Sequence, residues 1–337
     1  MTEDELVAAI RARVASVPAG RLLVGIGDDA AVWQPSRSNR SVITTDALVE
    51  GVHFTRDAMS AYDAGWRALA SNLSDVAAMG ARPVLATIAL GFPAGTDPGW
   101  LLDCYDGIAA LATQAGCAIA GGDLTRAPAI TFAITVVGEV RASNLKRRNG
   151  ARPGDVLALT GPLGASRAGL LLAVDRPDLA ADPDLAGVLA AYRTPRPRLR
   201  EGAWLGASRH VRAMMDTSDG LSTDLARLCA ASGTGACLED VPVAEGARRV
   251  AARSGDDPAA WALDGGEDFE LLISVAKRGF GHLARRFRAR FGGELVPIGR
   301  MTAGPGVRRA DGTPVPSAGW DHLRGATQKE RDSGRAP

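Results

Sequence analysis

A chain of 337 residues with 39 Lys and Arg against 38 Asp and Glu has a formal net charge of +1, so no overall basic field points to nucleic acid. Its 46% apolar and 23% charged content is that of a soluble globular protein, and the length suffices for two domains of ordinary size. No run of 18 apolar residues offers a membrane span, and the four cysteines form no C-x-x-C pair, so reduced thiols in the cytoplasm are the expectation.

The opening, MTEDELVAAI, is acidic and amphipathic rather than basic then apolar, which argues against a secretory signal. Leu6, Ile10 and Val14 at helical spacing predict a helix over 3–17. GIGDDAAV (25–32) then sets two adjacent carboxylates, Asp28 and Asp29, behind a glycine turn. SVITTDALV (41–49) reads as a strand with Asp46 at its far end. Residues 60–83 read as a long helix closed by Gly80 and Pro83. Its apolar stripe is Trp66, Leu69, Ala70, Leu73 and Ala77, and Ser71 and Asp75 share another face. A strand (VLATIALGF), a helix (about 98–115), a short strand ending in AGGD (120–123) and a strand AITFAITVVGEV follow. This alternation predicts an α+β domain over 1–145, one sheet covered by helices.

The boundary falls in the basic, Gly/Pro-punctuated LKRRNGARPGD (145–155). The second domain, 146–325, restarts with the strand DVLALTG and a turn, GPLGAS, that opens a helix. An Ala/Asp/Pro-rich, helical segment covers about 175–200. AMMDTSDGLSTDLARLCAAS reads as a strand end, an acidic turn and a helix from near Leu221; LDGGEDFELLISV reads as an acidic glycine turn running into a buried strand. The polar end, 326–337, is expected to be a disordered tail.

Six acidic motifs recur along this layout: Gly-Asp-Asp (27–29), Thr-Thr-Asp (44–46), Asn-Leu-Ser-Asp (72–75), Gly-Gly-Asp (121–123), Asp-Thr-Ser-Asp-Gly (216–220) and Gly-Gly-Glu-Asp (265–268). Each alone is an ordinary feature: Asp75 a solvated helix residue, Asp123 a turn residue, Asp216 or Asp219 a helix cap. Five of the six are expected at a strand end or glycine turn, where α/β folds build ligand sites. Carboxylates with hydroxyls, and no Cys or His cluster, are hard oxygen ligands suited to Mg²⁺ bridging to phosphates. Lysine is confined to Lys146, Lys277 and Lys329 and there is no G-x-x-x-x-G-K-[ST] loop, which leaves arginine and metal to meet phosphate charge.

In their order, GIGDDAAV, TTDALVEGVHF, LASNLSDVAAMGARP, GGDLTR, RRNGARPGD, DTSDGLSTDL, GGEDFELL and GWDHL resemble the thiamine-monophosphate kinase family, from about residue 20 to 324. NLSDVAAMGA is shared with the wider superfamily of aminoimidazole ribonucleotide synthetase, selenophosphate synthetase and a hydrogenase-maturation protein. GVHF, DTSDGL with GGEDFEL, and GWDH are more specific to the kinase. The resemblance implies an α/β, two-domain aminoimidazole ribonucleotide synthetase-like fold, with an N-terminal sheet forming a homodimer interface and a C-terminal α/β domain. It implies transfer of the γ-phosphoryl of ATP to thiamine monophosphate, giving thiamine diphosphate, with several Mg²⁺ ions and ATP near the dimer interface.

Carried over by position, the resemblance assigns metal binding to Asp29 with Asp28 beside it, Thr44, Thr45, Asp46, Asp75, Asp123, Asp216 and Asp219. It places Gly122, Asp123, Arg148 (with Arg147 the neighbouring choice) and Ser218 around ATP, and Tyr105 as an aromatic near the nucleotide. His53, Glu267 and Trp320 match positions on the thiamine substrate. His53 also reads as a structural histidine, and Trp320 either stacks on a cationic ring or covers a domain edge. No general base is required, because a phosphate monoester has its second pKa at roughly 6 and is largely ionised at neutral pH. The rival readings are a sister ATP-dependent synthetase, a non-catalytic nucleotide- or metal-binding protein, and an acidic-site phosphohydrolase. Selenophosphate synthetase is disfavoured because the first cysteine is Cys104, and aminoimidazole ribonucleotide synthetase by the contexts of His53 and Trp320.

Overall fold

Thr2 begins the first helix, α1 (Glu3–Val14), with a reciprocal cap: its hydroxyl accepts the Glu5 amide at 3.2 Å and the Glu5 carboxylate accepts the Thr2 amide at 2.8 Å. The computed structural model describes residues 1–27 and 29–320; Asp28 and the expected tail, 326–337, lie outside the described residues. Two compact units emerge among the described residues, one of 1–76 and 82–141, the other of 77–81 and 142–320.

In the first unit α1 is followed by a small antiparallel pair, β1 (Leu22–Val24) and β2 (Val32–Trp33), which brackets the GIGDDAAV turn. Then come β3 (Asn39–Val49), α2 (Ala61–Ala78), β4 (Arg82–Phe92), α3 (Pro98–Ala115), β5 (Ala118–Arg126) and β6 (Thr131–Arg141). The sheet order is β3-β6-β4-β5, with β4 and β5 parallel and the other pairs antiparallel. Phe132, Ile134 and Val136 of β6 are wholly buried while Thr131, Ala133 and Thr135 between them are half-buried, so only one face lies in the core. Helices α2 and α3 approach backbone to backbone: a Cβ on Gly107 would lie 1.9 Å from the Tyr62 carbonyl oxygen, and one on Gly65 1.9 Å from that of Cys104.

β3 ends at Val49 as the sequence predicts and β5 runs past its predicted end, and two residues expected at strand ends lie inside their strands. Asp46 lies within β3, not at its end, because β3 and β6 stay paired residue for residue through Val49↔Thr131. Asp123 lies within β5, which keeps pairing with β4 through Arg126↔Phe92. α1 ends at Val14, three residues short of the expected end.

The second unit opens with 3₁₀ turns at Ala142–Asn144 and Arg148–Gly150. It continues through β7 (Val156–Leu159), α4 (Ala165–Val174), α5 (Pro177–Ala180), α6 (Ala186–Arg193), α7 (Leu199–Gly206), β8 (Val211–Asp216), α8 (Leu221–Ser232) and β9 (Gly235–Leu238). α9 (Glu245–Ser254), α10 (Pro258–Asp264), β10 (Leu271–Val275), α11 (Lys277–Phe291), β11 (Val296–Thr302) and β12 (Gly306–Arg309) complete it. Its six strands are ordered β12-β9-β11-β7-β10-β8. Core lies on both faces: Leu157, Leu159, Met215 and Leu272 pack with Leu221, Leu225 and Leu228 of α8, while Ala158, Met214, Leu271 and Ile273 pack with Leu283 and Phe287 of α11. That explains why β10 is buried at every residue, its one polar side chain, Ser274, donating to the Asp155 carboxylate at 2.8 Å.

Candidate active site

Alternation along the first unit's sheet sorts the expected ligands by face. Thr44 and Asp46 point to the helix-covered side, where the Thr44 hydroxyl donates to Asp75 Oδ2 of α2 at 2.5 Å. Asp46 is in register with buried Ile134. Thr45 points the other way, its hydroxyl donating to the Ile134 carbonyl at 3.1 Å and accepting from Thr135 at 3.2 Å. Asp123, in register with exposed Ala89, shares that open face. Asp29 is exposed in the turn between β1 and β2.

Gly122 has a structural reason of its own. A Cβ there would lie 1.9 Å from the Ile88 carbonyl oxygen, so the strand can pass this point only with glycine. Tyr105 is 4% exposed, on the core side of α3, where burial pushes its phenol pKa upward.

His53 sits in the turn after β3. Its Nδ1 accepts the Val49 amide at 3.1 Å, which puts the neutral ring's proton on Nε2. The turn is closed by Arg56 gripping Glu50 with two bonds (2.6 and 3.2 Å), and the guanidinium holds the Glu50 carboxyl below its ordinary pKa.

In the second unit three separate segments are stitched together through their backbones. The Glu267 amide donates to the Ser218 carbonyl at 2.7 Å, and the Trp320 amide donates to the Asp219 carbonyl at 2.9 Å. The Gly319 amide is taken by the Thr223 hydroxyl at 3.1 Å. A Cβ on Gly319 would lie 1.9 Å from the Asp219 carbonyl oxygen, and Gly266, at φ +68°, would press on that of Ser218 at 2.7 Å. Glu267 itself adopts φ 55° and Phe269 φ 51°, left-handed values that non-glycine residues hold only when surroundings enforce them. Ser218, Asp219, Glu267 and Trp320 are thereby brought together, with the Trp320 side chain 37% exposed. Asp216 ends β8 nearly buried, in register with Leu271. Arg148 and Arg147 are both exposed, and their carbonyls, not their guanidinium groups, make the local bonds, to Ser232 Oγ (2.7 Å) and Met214 N (3.3 Å).

The residues that hold these loops are carboxylates to which the sequence analysis assigns no role. Asp224 Oδ2 accepts the amides of both Ser218 (3.0 Å) and Asp219 (3.1 Å), and burial followed by repulsion from Asp219 raises its pKa to about 7. Arg227 bridges the Asp219 and Asp224 carboxylates. Asp268, between the two left-handed residues, accepts the Gly164 amide (2.7 Å) and the Ser166 amide (3.1 Å) at the start of α4; burial lifts its pKa to about 7. Glu270 is held by Arg198 and by the Thr160 hydroxyl. The sequence signal was present, since each lies within DTSDGLSTD or GGEDFEL.

Among the described residues no three His, Cys, Asp or Glu side chains form a group that could hold a metal. The donor set still fits Mg²⁺. It is all oxygen, it pairs Asp75 with a hydroxyl, and Mg²⁺ is commonly bound by one or two carboxylates plus substrate phosphates.

Two family models match the chain: AIR synthase related protein, N-terminal domain, over residues 27–140, and AIR synthase related protein, C-terminal domain, over residues 152–311. The thiamine-monophosphate kinase of Synechococcus elongatus is 36% identical over 306 residues, covering 88% of this chain and 91% of that protein. The crystal structure of thiamine-monophosphate kinase from Stenotrophomonas maltophilia is 36% identical with a TM-score of 0.82, covering 93% of this chain and 98% of that one. The structure of AaThiL complexed with AMPPCP and TMP is 30% identical with a TM-score of 0.77, covering 95% and 96%. By whole-length likeness in sequence and in structure, the chain belongs to the thiamine-monophosphate kinase family of the AIR synthase related proteins.

Proposed function

We propose that the chain transfers the γ-phosphoryl group of ATP to thiamine monophosphate, giving thiamine diphosphate and ADP, in the cytoplasm and with Mg²⁺. One observation carries the reading: near full-length likeness to a relative solved as AaThiL complexed with AMPPCP and TMP. Phosphoryl transfer asks for positioning and charge neutralisation more than for proton transfer. Bound Mg²⁺ would supply that neutralisation between two anionic substrates.

Asp75 and Asp46, with Asp28 and Asp29, would hold Mg²⁺ in the first unit, and the Thr44 hydroxyl orients the Asp75 carboxylate for it. Thr45, on the other face of β3, has only its backbone to offer that group. Asp123, Asp216 and Asp219 are further proposed metal ligands, with Asp123 also near ATP beside Gly122, Arg148 and Ser218. Arg227 must release or share Asp219 for it to take a cation. Glu267 and Trp320 would receive the thiamine ring, the indole face attracting its positive charge. His53, its Nδ1 occupied by the Val49 amide, would meet substrate through Nε2. The acceptor oxygen arrives ionised, so none of these residues has to remove a proton.

We further propose a homodimer formed through the open face of the four-stranded sheet. Ile43 on that face is 70% exposed, and Thr45, Ala47 and Ala89 beside it are exposed as well. Small and β-branched side chains of this kind suit close packing of a second sheet. Incubation with γ-labelled ATP tests the chemistry: label is expected in thiamine diphosphate, and label recovered only as inorganic phosphate would make the chain a hydrolase.

A further inference from the structure

Helix α11 carries Lys277, Arg278, Arg285, Arg286, Arg288 and Arg290 and no acidic residue in fifteen. Arg288 pairs with Glu294 at 3.1 Å. Among the described residues no carboxylate pairs with Arg278, Arg285, Arg286 or Arg290, nor with Arg209 across from them. Such a concentration of cations repels itself, and it is maintained here around a concavity.

A cavity of about 370 Å³ opens between the end of α7, the start of β8 and α11, lined among others by Trp204, Ser208, Arg209, His210, His282 and Arg286. A second, of about 410 Å³, shares Trp204 and Arg286 with it and continues to Arg290. His282, Arg286 and Arg290 lie four residues apart, so one face of α11 edges the whole groove. Its opposite wall is fixed by close contact: the His210 ring lies so near α11 that a Cβ on Gly279 would come within 2.3 Å of it. Buried Lys146 donates from Nζ to the carbonyl of Ser208, one of the lining residues, at 3.0 Å. The floor is the Trp204 indole, packed edge-on to Phe287 and Phe291 with the Arg286 guanidinium 5.8 Å over its ring.

We propose that this groove, lined by none of the residues assigned above to ATP, Mg²⁺ or thiamine monophosphate, is a second anion site and that it takes a phosphate ester carried on a flat ring. The donors come from different elements and several directions. A tetrahedral phosphate accepts bonds that way, whereas a planar carboxylate is satisfied by one guanidinium fork. A volume of 370 Å³ is in the range of small-molecule sites and exceeds what phosphate alone needs. Trp204 carries the exposed Arg286 guanidinium over its ring, and that planar group offers a face on which a ring would stack and an edge that can bond the phosphate.

The chain has four histidines, so their imidazole C2–H signals can be followed individually by NMR. The titration uses the full chain in EDTA, where Mg²⁺-dependent substrate binding is suppressed, with AMP and then inorganic phosphate as probes. The signals of His210 and His282 are expected to shift saturably with AMP and about tenfold less readily with phosphate, with His53 as the reference for the kinase residues. Arg286→Gln and Arg209→Gln should each weaken the AMP response about tenfold, the loss of one charge-assisted contact. Absence of shifts at His210 and His282, or shifts unchanged in both variants, would overturn the site. Equal affinity for AMP and phosphate would overturn its ring-bearing ligand. Each of these results is independent of whether thiamine monophosphate is phosphorylated.

Discussion

Asp268 spends both carboxylate oxygens on the amides of Gly164 and Ser166 while burial lifts its pKa to about 7 from an ordinary 3.8. With the folded value above the unfolded one, the folded chain binds an extra proton between about pH 4 and pH 7. The stabilisation linked to this group is therefore complete below pH 4 and lost as pH rises through 7. Thermal unfolding of the wild type and Asp268→Asn should show the wild type's relative advantage shrinking from pH 4 to 7 and levelling above 8; a difference that is flat or grows over that range would contradict the assignment. At Thr44 the expectation concerns metal instead. Thr44→Val should leave the fold intact but raise the Mg²⁺ concentration for half-maximal turnover by about tenfold, as loss of a ligand's orienting bond does elsewhere. Asp75→Asn should abolish turnover at ordinary Mg²⁺ with little change in melting temperature. Sequence reading reached Ser218, Asp219, Glu267 and Trp320, which the structure joins, through the family resemblance carried by DTSDGL, GGEDFEL and GWDH. It missed Asp224 and Asp268 because their importance lies in what buries them, and burial is a property of other segments.

The elements were legible where a period was strong. α3 spans Pro98–Ala115 as the sequence predicts, and the helix from Leu221 begins there, after Gly220. Strand ends were less so: β3 ends at Val49 as predicted, but β5 continues past Asp123 because β4 goes on offering backbone partners, which no local pattern announces. Sequence analysis also leaves 277–291 unassigned, although Leu283, Phe287 and Phe291 recur at helical spacing in α11. The crossing of α2 and α3 depends on the absence of two Cβ atoms. Gly107→Ala would set a methyl 1.9 Å from the Tyr62 carbonyl, and a cost of about 3 kcal/mol is expected from the forced separation of the helices. Urea unfolding measures it, and a loss under about 0.5 kcal/mol, the usual span of surface substitutions, would show that the crossing relaxes freely.

At the scale of the whole molecule the sheet of the first unit leaves a face with exposed Ile43, Thr45, Ala47 and Ala89, and the proposed dimer covers it. Ile43→Arg should convert a dimer to a monomer in sedimentation equilibrium; a dimer unchanged by that charge would have to use another surface. Chain-wide likeness gives the family, while composition alone reached only a soluble protein with room for two domains. The central claim is that the phosphoryl acceptor is thiamine monophosphate. Chromatography of the purified chain with Mg²⁺, ATP and thiamine monophosphate tests it most directly. Equal amounts of thiamine diphosphate and ADP, both absent without Mg²⁺, are the predicted result. ADP accumulating with no thiamine diphosphate, or neither product with a folded chain, would contradict the account.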